Sequence, residues 1–270
     1  FGLSTTIDYT VSIYEQLDLM DMAGFTFISL GARLEHCSFF EPEKFKAIIA
    51  SAEEKKMKIE SIHAPFGKDV DIASLDIEAR KRAVDSIARI MRLATDYGIP
   101  IMILHPHDYF YDGREKCLER ALGSLEGILV HKPPDLNIAL ENMPGKDSAW
   151  IIASIFKIFD ENRYGFCYDS SHENITEANF PLLQTFYNRL ITCHLSDNNG
   201  RYDEHLAPGE GTVDWTRLRL LFDRSDNFSN ILFEVGTGAK LPGEPADIIK
   251  SIFYQAGKIF TDNESTKLYK

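Results

Sequence analysis

The chain has 270 residues, and its 41 acidic side chains outnumber its 29 basic ones, so its formal net charge is −12. Apolar residues make up 44% of the chain and charged residues 26%, proportions typical of a folded globular protein and not of a disordered one. A surface this acidic repels the phosphates of nucleic acids, so a nucleic-acid partner is disfavoured from the outset.

The cysteine and apolar patterns bear on the compartment. The four cysteines occur singly, with no C-x-x-C pair, and this spacing is not that of a disulfide framework. No apolar run approaches the ~20 residues that a membrane-spanning helix needs. We therefore expect a protein of a reducing compartment, the cytoplasm, without membrane association. A homo-oligomer is compatible with the sequence, which does not define the oligomeric state.

Short β-branched and aromatic runs alternate along the chain with stretches of helical periodicity, such as Ala83, Ile87, Ile90 and Ala94, which precede Gly98. Eight strands alternating with helices within ~250 residues predict an α/β fold, a (β/α)8 TIM barrel that forms a single domain over residues 1–270. An open doubly wound sheet is the competing fold, but no G-x-G-x-x-G follows the first run, and no nucleotide cofactor is expected. The eight runs are residues 1–5, 25–30, 58–63, 101–105, 136–141, 164–169, 190–195 and 231–234.

Titratable residues recur where these predicted strands end or in the loops that follow. Because the carboxyl ends of barrel strands converge on one mouth, residues scattered over about 170 positions are expected to form one cluster there. We call them the nine-residue set: His63, His105, Glu141, Asp169, His172, His194, Asp203, His205 and Glu234.

Four carboxylates and five imidazoles in one cavity need a positive charge among them, because buried like charges repel and desolvation disfavours each ionised group. A divalent metal supplies that charge. Mixed ligation by histidine, aspartate and glutamate suits Zn²⁺, Mn²⁺, Fe²⁺ or Co²⁺. The pattern therefore predicts a metal site but leaves the reaction open.

The segments His-Ala-Pro-Phe, Glu-Asn, Asp-Ser-Ser-His, His-Leu-Ser-Asp and Pro-Gly-Glu-Gly-Thr-Val-Asp-Trp resemble those of the xylose-isomerase-like TIM-barrel superfamily, and the resemblance covers essentially the whole chain. That superfamily contains sugar isomerases and epimerases as well as the endonuclease IV enzymes of DNA repair (AP endonuclease family 2). In the sugar branch, the resemblance implies one metal held by what we call the four-residue set, Glu141, Asp169, His194 and Glu234.

For the sugar branch the resemblance also implies that Glu141 and Glu234 act as acid and base on the two faces of the substrate. His172 would then touch substrate, and His63 and His105 would line the same pocket. The endonuclease branch uses three zinc ions and nine ligands, and each of those ligands has a match in the nine-residue set. Many sugar epimerases have an arginine where His205 stands, so this departure permits a multinuclear site.

Three features favour a small molecule over DNA. The loops at the predicted mouth are acidic or neutral, and a basic run near Arg80 belongs to the helix after the third strand, on the barrel exterior. The chain has no obvious insertion that would clamp a duplex. Aromatic residues are available as walls for a sugar ring: Phe66, Tyr109, Phe110, Tyr111 and Tyr168.

The sequence is thus interpreted as a metal-dependent isomerase or epimerase of a sugar or sugar phosphate, which transfers a proton next to a carbonyl through an enediolate. The alternative is an endonuclease IV-like, trinuclear-zinc AP endonuclease acting on damaged DNA. The identity of the sugar and the number of metal ions stay open at this point.

Overall fold

The computed structural model describes residues 1–177, 179–224, 230–236 and 243–261, and within them eight parallel strands alternate with helices. The strands are β1 (Gly2–Ser4), β2 (Phe27–Leu30), β3 (Lys58–His63), β4 (Ile101–Leu104), β5 (Asn137–Glu141), β6 (Gly165–Asp169), β7 (Leu190–His194) and β8 (Leu232–Phe233). The helices are α1 (Ile13–Ala23), α2 (Leu34–Cys37), α3 (Pro42–Glu54), α4 (Ile77–Asp96), α5 (Arg114–Leu129), α6 (Lys146–Ile158), α7 (Ser170–Thr176), α8 (Pro181–Phe186), α9 (Trp215–Phe222) and α10 (Pro245–Phe260).

The strands pair in the order β7-β6-β5-β4-β3-β2-β1-β8, and every pairing is parallel. A parallel bridge between Leu195 and Phe233 joins the two ends of this sheet. The amide of Leu195 donates to the carbonyl of Leu232, and the amide of Glu234 donates to the carbonyl of Leu195, each at 3.0 Å. The sheet therefore closes, and the predicted (β/α)8 barrel is confirmed.

Local sequence signals explain where individual helices begin and end. The Ser12 side chain accepts the amide of Glu15 at the start of α1, and Gly24 ends that helix with a left-handed φ of 102°. Asp76 caps α4 in the same way by accepting the amide of Glu78. These caps satisfy amides that lack a partner within the helix, so the chain turns back onto the barrel at defined residues.

Apolar side chains form two layers. The larger layer lies between the strands and the surrounding helices, and it includes the α4 face formed by Ala83, Ile87, Ile90 and Ala94, all of which are buried as their spacing predicts. A small separate cluster of Ile101, Ile103, Ala139 and Cys167 fills the interior of the barrel below its mouth.

Of the helices that the structure describes, none is both long enough and apolar enough to cross a bilayer.

A matched pair of glycine substitutions tests the packing of the barrel. A Cβ at Gly165 in β6 would overlap the Ile191 side chain, so Gly165→Ala is expected to destabilise the fold by about 1–3 kcal/mol through overpacking. A Cβ at exposed Gly123 in α5 would meet no other atom within 4 Å, so Gly123→Ala is expected to stabilise the fold by about 0.5–1 kcal/mol. Urea denaturation measures the free energy of unfolding of both variants, and equal midpoints for the two would contradict the packing argument.

Candidate metal centre

The structure brings the nine-residue set together at the mouth of the barrel. Seven of its members line a cavity of about 590 Å³. The other two, Asp169 and His194, are fully buried and complete the cluster behind Glu141 and Glu234. Residues separated by up to about 170 positions in sequence thus share one site, because each follows the carboxyl end of a barrel strand.

The four-residue set has the arrangement of ligands around a shared ion. One ligand atom from each member lies within 4.8 Å of the corresponding atom in each of the others. His194 Nδ1 is 2.9 Å from Glu234 Oε2 and 3.2 Å from Glu141 Oε1, yet neither contact has the alignment of a hydrogen bond. Asp169 Oδ2 is buried without a hydrogen-bond partner among the described residues. Buried polar atoms without partners are costly, and an ion between these atoms would satisfy all of them.

Asp169 is held in place by its neighbours. It caps α7, where its Oδ1 accepts the amide of His172 at 2.7 Å, and this leaves Oδ2 turned toward the cluster. The Asn142 side chain clamps the Asp169 backbone, because its amide donates to the carbonyl and its oxygen accepts the amide, at 2.9 and 2.8 Å. Sequence reasoning gave Asn142 no role of its own, and its place directly after Glu141 was the one signal that could have found it.

The other four histidines of the set share one orientation. In each, Nδ1 donates to an oxygen, which turns Nε2 toward the cluster; such outer hydrogen bonds orient metal-binding histidines. The pairs are His63 with the Ala64 carbonyl (2.6 Å), His105 with Asp108 Oδ1 (2.9 Å), His172 with the Asn142 carbonyl (2.8 Å) and His205 with the Glu234 carbonyl (2.9 Å).

These histidines form two further groups with ligand spacing, each with atoms within 4.8 Å of one another. In the first, the Nε2 atoms of His63 and His105 lie 3.2 and 3.6 Å from Glu141 Oε2. In the second, the Nε2 atoms of His172 and His205 lie 3.1 and 2.9 Å from Asp203 Oδ2. Glu141 therefore belongs both to the first of these groups and to the four-residue set, and the site has the donors for more than one ion.

Burial and charge act in opposite directions on the acids of the site. Burial raises the pKa of Glu141, but the charge of His194 and hydrogen bonds from the surrounding imidazoles hold that pKa well below its usual value. Burial also opposes ionisation of Glu234, yet His194 lowers its pKa to about 2. At Asp169 burial dominates and raises the pKa to about 6. These carboxylates require positive charge beside them, from protonated imidazoles or from a cation.

Asp197 organises the loop between β7 and α9 that carries Asp203 and His205. The sequence predicts acidic or neutral loops at the mouth, but the Asp197 carboxylate is fully buried and accepts the Gly209 amide at 2.9 Å and the indole N–H of Trp215 at 2.8 Å. The Asp197 and Leu206 backbones also pair in an antiparallel bridge. His205, directly before Leu206, has a φ of 47°, in the left-handed region that few residues other than glycine adopt.

Two different kinds of residue line the cavity around the cluster. On one side the Phe66 ring stacks on His105, with centroids 4.6 Å apart, and Tyr109 lies beside it. On the other side the loop after β1 contributes polar residues that sequence reasoning missed, including Asp8 and Tyr9, because no motif marks that loop. Among the described residues that line the cavity there is no lysine or arginine.

Three of the predicted aromatic walls do not form part of the cavity lining. Phe110 and Tyr111 lie on the same loop as Tyr109 and are exposed outside the cavity. Tyr168 is fully buried and packs against Phe166 and Phe222 instead, because it lies on the outward face of β6, between the barrel and its helices.

Curated sequence relatives include an uncharacterised protein and a probable endonuclease 4. The chain is 24% identical over 230 residues to an uncharacterised protein of Methanocaldococcus jannaschii, covering 81% of this chain and 77% of that protein. It is 26% identical over 194 residues to a protein named probable endonuclease 4 from Mycoplasma mycoides subsp. mycoides, covering 63% of this chain and 64% of that protein.

Solved structures agree on the fold. A D-tagatose 3-epimerase-like protein superimposes with a TM-score of 0.77 at 22% identity, covering 96% of this chain and 97% of that one. The IOLI protein, solved with a zinc atom, superimposes with a TM-score of 0.72 at 15% identity, covering 96% of both chains. Residues 17–252 match the family described as xylose isomerase-like TIM barrel, and the chain belongs to that family.

Proposed function

We propose that this protein is a metal-dependent isomerase or epimerase that acts on a sugar or a sugar phosphate. The observation that carries the proposal is the position of two glutamates within the four-residue set. Glu141 ends β5 and Glu234 follows β8, three strand positions apart around the ring, and their carboxylates flank His194 Nδ1 at 3.2 and 2.9 Å. Two carboxylates on either side of a metal site are suited to move a proton to and from one substrate carbon.

The donor set fits a divalent cation, and Glu141, Asp169, His194 and Glu234 would hold it. When bound, such a cation polarises a carbonyl and its neighbouring hydroxyl and so stabilises the negative charge of an enediolate. Histidine and carboxylate ligands together suit Zn²⁺, Mn²⁺, Fe²⁺ or Co²⁺. The zinc atom in the IOLI protein, which has the same fold, supports a divalent metal in this site.

In this proposal, residues of the chain itself transfer the proton and bind the sugar. One of Glu141 and Glu234 removes the proton from the carbon next to the carbonyl, and either the same or the opposite carboxylate returns it. Return to the neighbouring carbon isomerises the sugar, whereas return to the other face of the same carbon epimerises it. The Phe66 ring offers an apolar surface to the sugar, and polar groups such as Asp8 offer acceptors for its hydroxyls.

A second candidate is a multinuclear phosphodiesterase of the endonuclease IV kind. It is favoured by the two further ligand groups, centred on Glu141 and Asp203, and by the similarity to a probable endonuclease 4. Against it stand the net charge of −12 and the lack of lysine and arginine among the described residues of the cavity lining, since DNA binding requires phosphate neutralisation.

The metal requirement is tested first by substituting Asp169, whose Oδ2 faces the cluster without a partner among the described residues. Asp169→Ala is expected to remove most of the bound transition metal, because it deletes one of four converging ligands. Elemental analysis of purified protein measures the metal content. Asp8→Asn, in the same cavity but outside the ligand groups, is the control and should retain the metal. Well-folded wild-type protein that takes up no transition metal would contradict the proposal.

The number of ions separates the two candidates. With one functional ion in the four-residue set, His205→Ala leaves the metal content unchanged and weakens substrate binding. With three ions, the same substitution lowers the metal content by a fraction, because His205 belongs to a separate ligand group. Anomalous scattering at the metal edge counts the ions in both proteins. Rapid cleavage of duplex DNA containing an abasic site by the metal-loaded wild type would support the endonuclease instead.

The reaction itself is tested by hydrogen exchange. Incubation with ketoses, aldoses and their phosphates in deuterium oxide should place deuterium on the carbon next to the carbonyl. Glu234→Gln retains an oxygen ligand but loses the base, so we expect it to keep its metal while exchange falls about 10²–10⁴-fold. Exposed Glu210, in the loop before α9, provides the control substitution Glu210→Gln. Undiminished exchange in metal-loaded Glu234→Gln would exclude Glu234 as the base.

A further inference from the structure

The mouth of the barrel carries exposed aromatic side chains that the proton transfer proposed above does not use. Within the described part of the chain, the loops after β3, β4 and β7 hold five of them: Phe66, Tyr109, Phe110, Tyr111 and Tyr202. Phe66 and Tyr109, which we call the aromatic rim, also line the cavity, although 55% and 45% of their surfaces stay exposed. Exposed apolar side chains that continue a cavity are typical of a surface that a bound ligand covers.

Contacts within the fold hold the aromatic rim in place before any ligand binds. The Phe66 ring stacks on His105, with centroids 4.6 Å apart. The amide of Gly67 donates to Asp108 Oδ2 at 2.7 Å. Because Gly67 follows Phe66 and Asp108 precedes Tyr109, this hydrogen bond ties the two loops of the rim together. A rim that is already ordered loses little conformational entropy when a ligand packs against it.

The size and charge of the cavity limit what the aromatic rim can bind. The cavity volume of about 590 Å³ falls in the range that holds molecules of more than one ring. Among the described residues of its lining there is no lysine or arginine, while carboxylates such as Asp8 and Asp203 line it, so these side chains offer a phosphate no opposite charge. A second sugar ring is neutral, and the C–H groups on one of its faces pack well against aromatic carbon.

We propose that the substrate is a reducing disaccharide or a similar glycosylated sugar, whose reacting end lies at the four-residue set and whose second ring packs on the aromatic rim. This inference rests on the proposed function and narrows its substrate to a neutral, glycosylated sugar. The second ring is attached through a hydroxyl remote from the carbonyl, because the carbonyl and its neighbouring carbon must stay free for proton transfer. The glycosidic bond itself is not broken.

Matched sugars test the size of the substrate. In fructose, fructose 6-phosphate and isomaltulose, the O6 atom of one ketose carries hydrogen, a phosphate or a glucose; glucose, glucose 6-phosphate and isomaltose form the same series for an aldose. Deuterium incorporation next to the carbonyl, by metal-loaded wild-type protein, gives kcat/KM for each sugar. We expect the disaccharide of one series to exceed its parent sugar about 10-fold in kcat/KM, because its second ring buries apolar surface on the rim.

Substitution of the rim tests the place of the second ring. Tyr109→Ala is expected to lower the ratio of kcat/KM for the disaccharide to that for its parent sugar from about 10 toward one, whereas Tyr109→Phe retains the ring and should keep the ratio. Tyr254→Ala is the matched control, since Tyr254 is similarly exposed but lies on α10, outside the cavity lining.

The outcomes separate this inference from the proposed function. Faster exchange of the parent sugar or its phosphate than of the disaccharide would overturn the inference alone, because exchange itself supports the proposed function. A ratio that Tyr109→Ala leaves unchanged would likewise overturn it. Metal-loaded protein that exchanges none of the six sugars would contradict the proposed function together with this inference.

Discussion

The site depends on one buried carboxylate. Glu141 contacts four imidazoles, with Oε2 facing His63 and His105 at 3.2 and 3.6 Å, and Oε1 facing His194 and His172 at 3.2 and 3.6 Å. Only about 1% of its surface is exposed, so water contributes little to stabilising its charge. A buried carboxylate must be compensated by charge or hydrogen bonds from the protein or from a bound ion. The histidines around Glu141 are placed both to provide charge and hydrogen bonds and to bind an ion.

A second layer of contacts makes this arrangement rigid. Backbone carbonyls orient three of the five histidines of the nine-residue set, and Asp108 orients a fourth, so the imidazoles have little freedom to turn away from the cluster. Asn142 clamps the backbone at the end of β6, and Asp197 accepts the Val213 amide within the loop that follows β7. Outer contacts of this kind keep the ligand groups close together and correctly turned.

The charge of the cavity and the geometry of its ligand groups favour different candidate functions within one family. The ligand groups within the nine-residue set would suit the second candidate, a multinuclear phosphodiesterase, whereas the acidic cavity with its Phe66 wall favours the sugar substrate that we propose over a nucleic acid. The position of Glu141 and Glu234 around His194 is compatible with both.

The barrel could be predicted from the sequence because alternating apolar runs and helical periods are local patterns. Most of the nine-residue set could be predicted because titratable residues end those runs. The clamp by Asn142, the buried hydrogen bonds of Asp197 and the polar residues after β1 were decided only by the tertiary structure. Local patterns record that a residue is polar, whereas its partner depends on which strands become neighbours when the barrel closes. Tyr168 illustrates the same limit, since strand register placed this aromatic ring outside the barrel and away from the cavity.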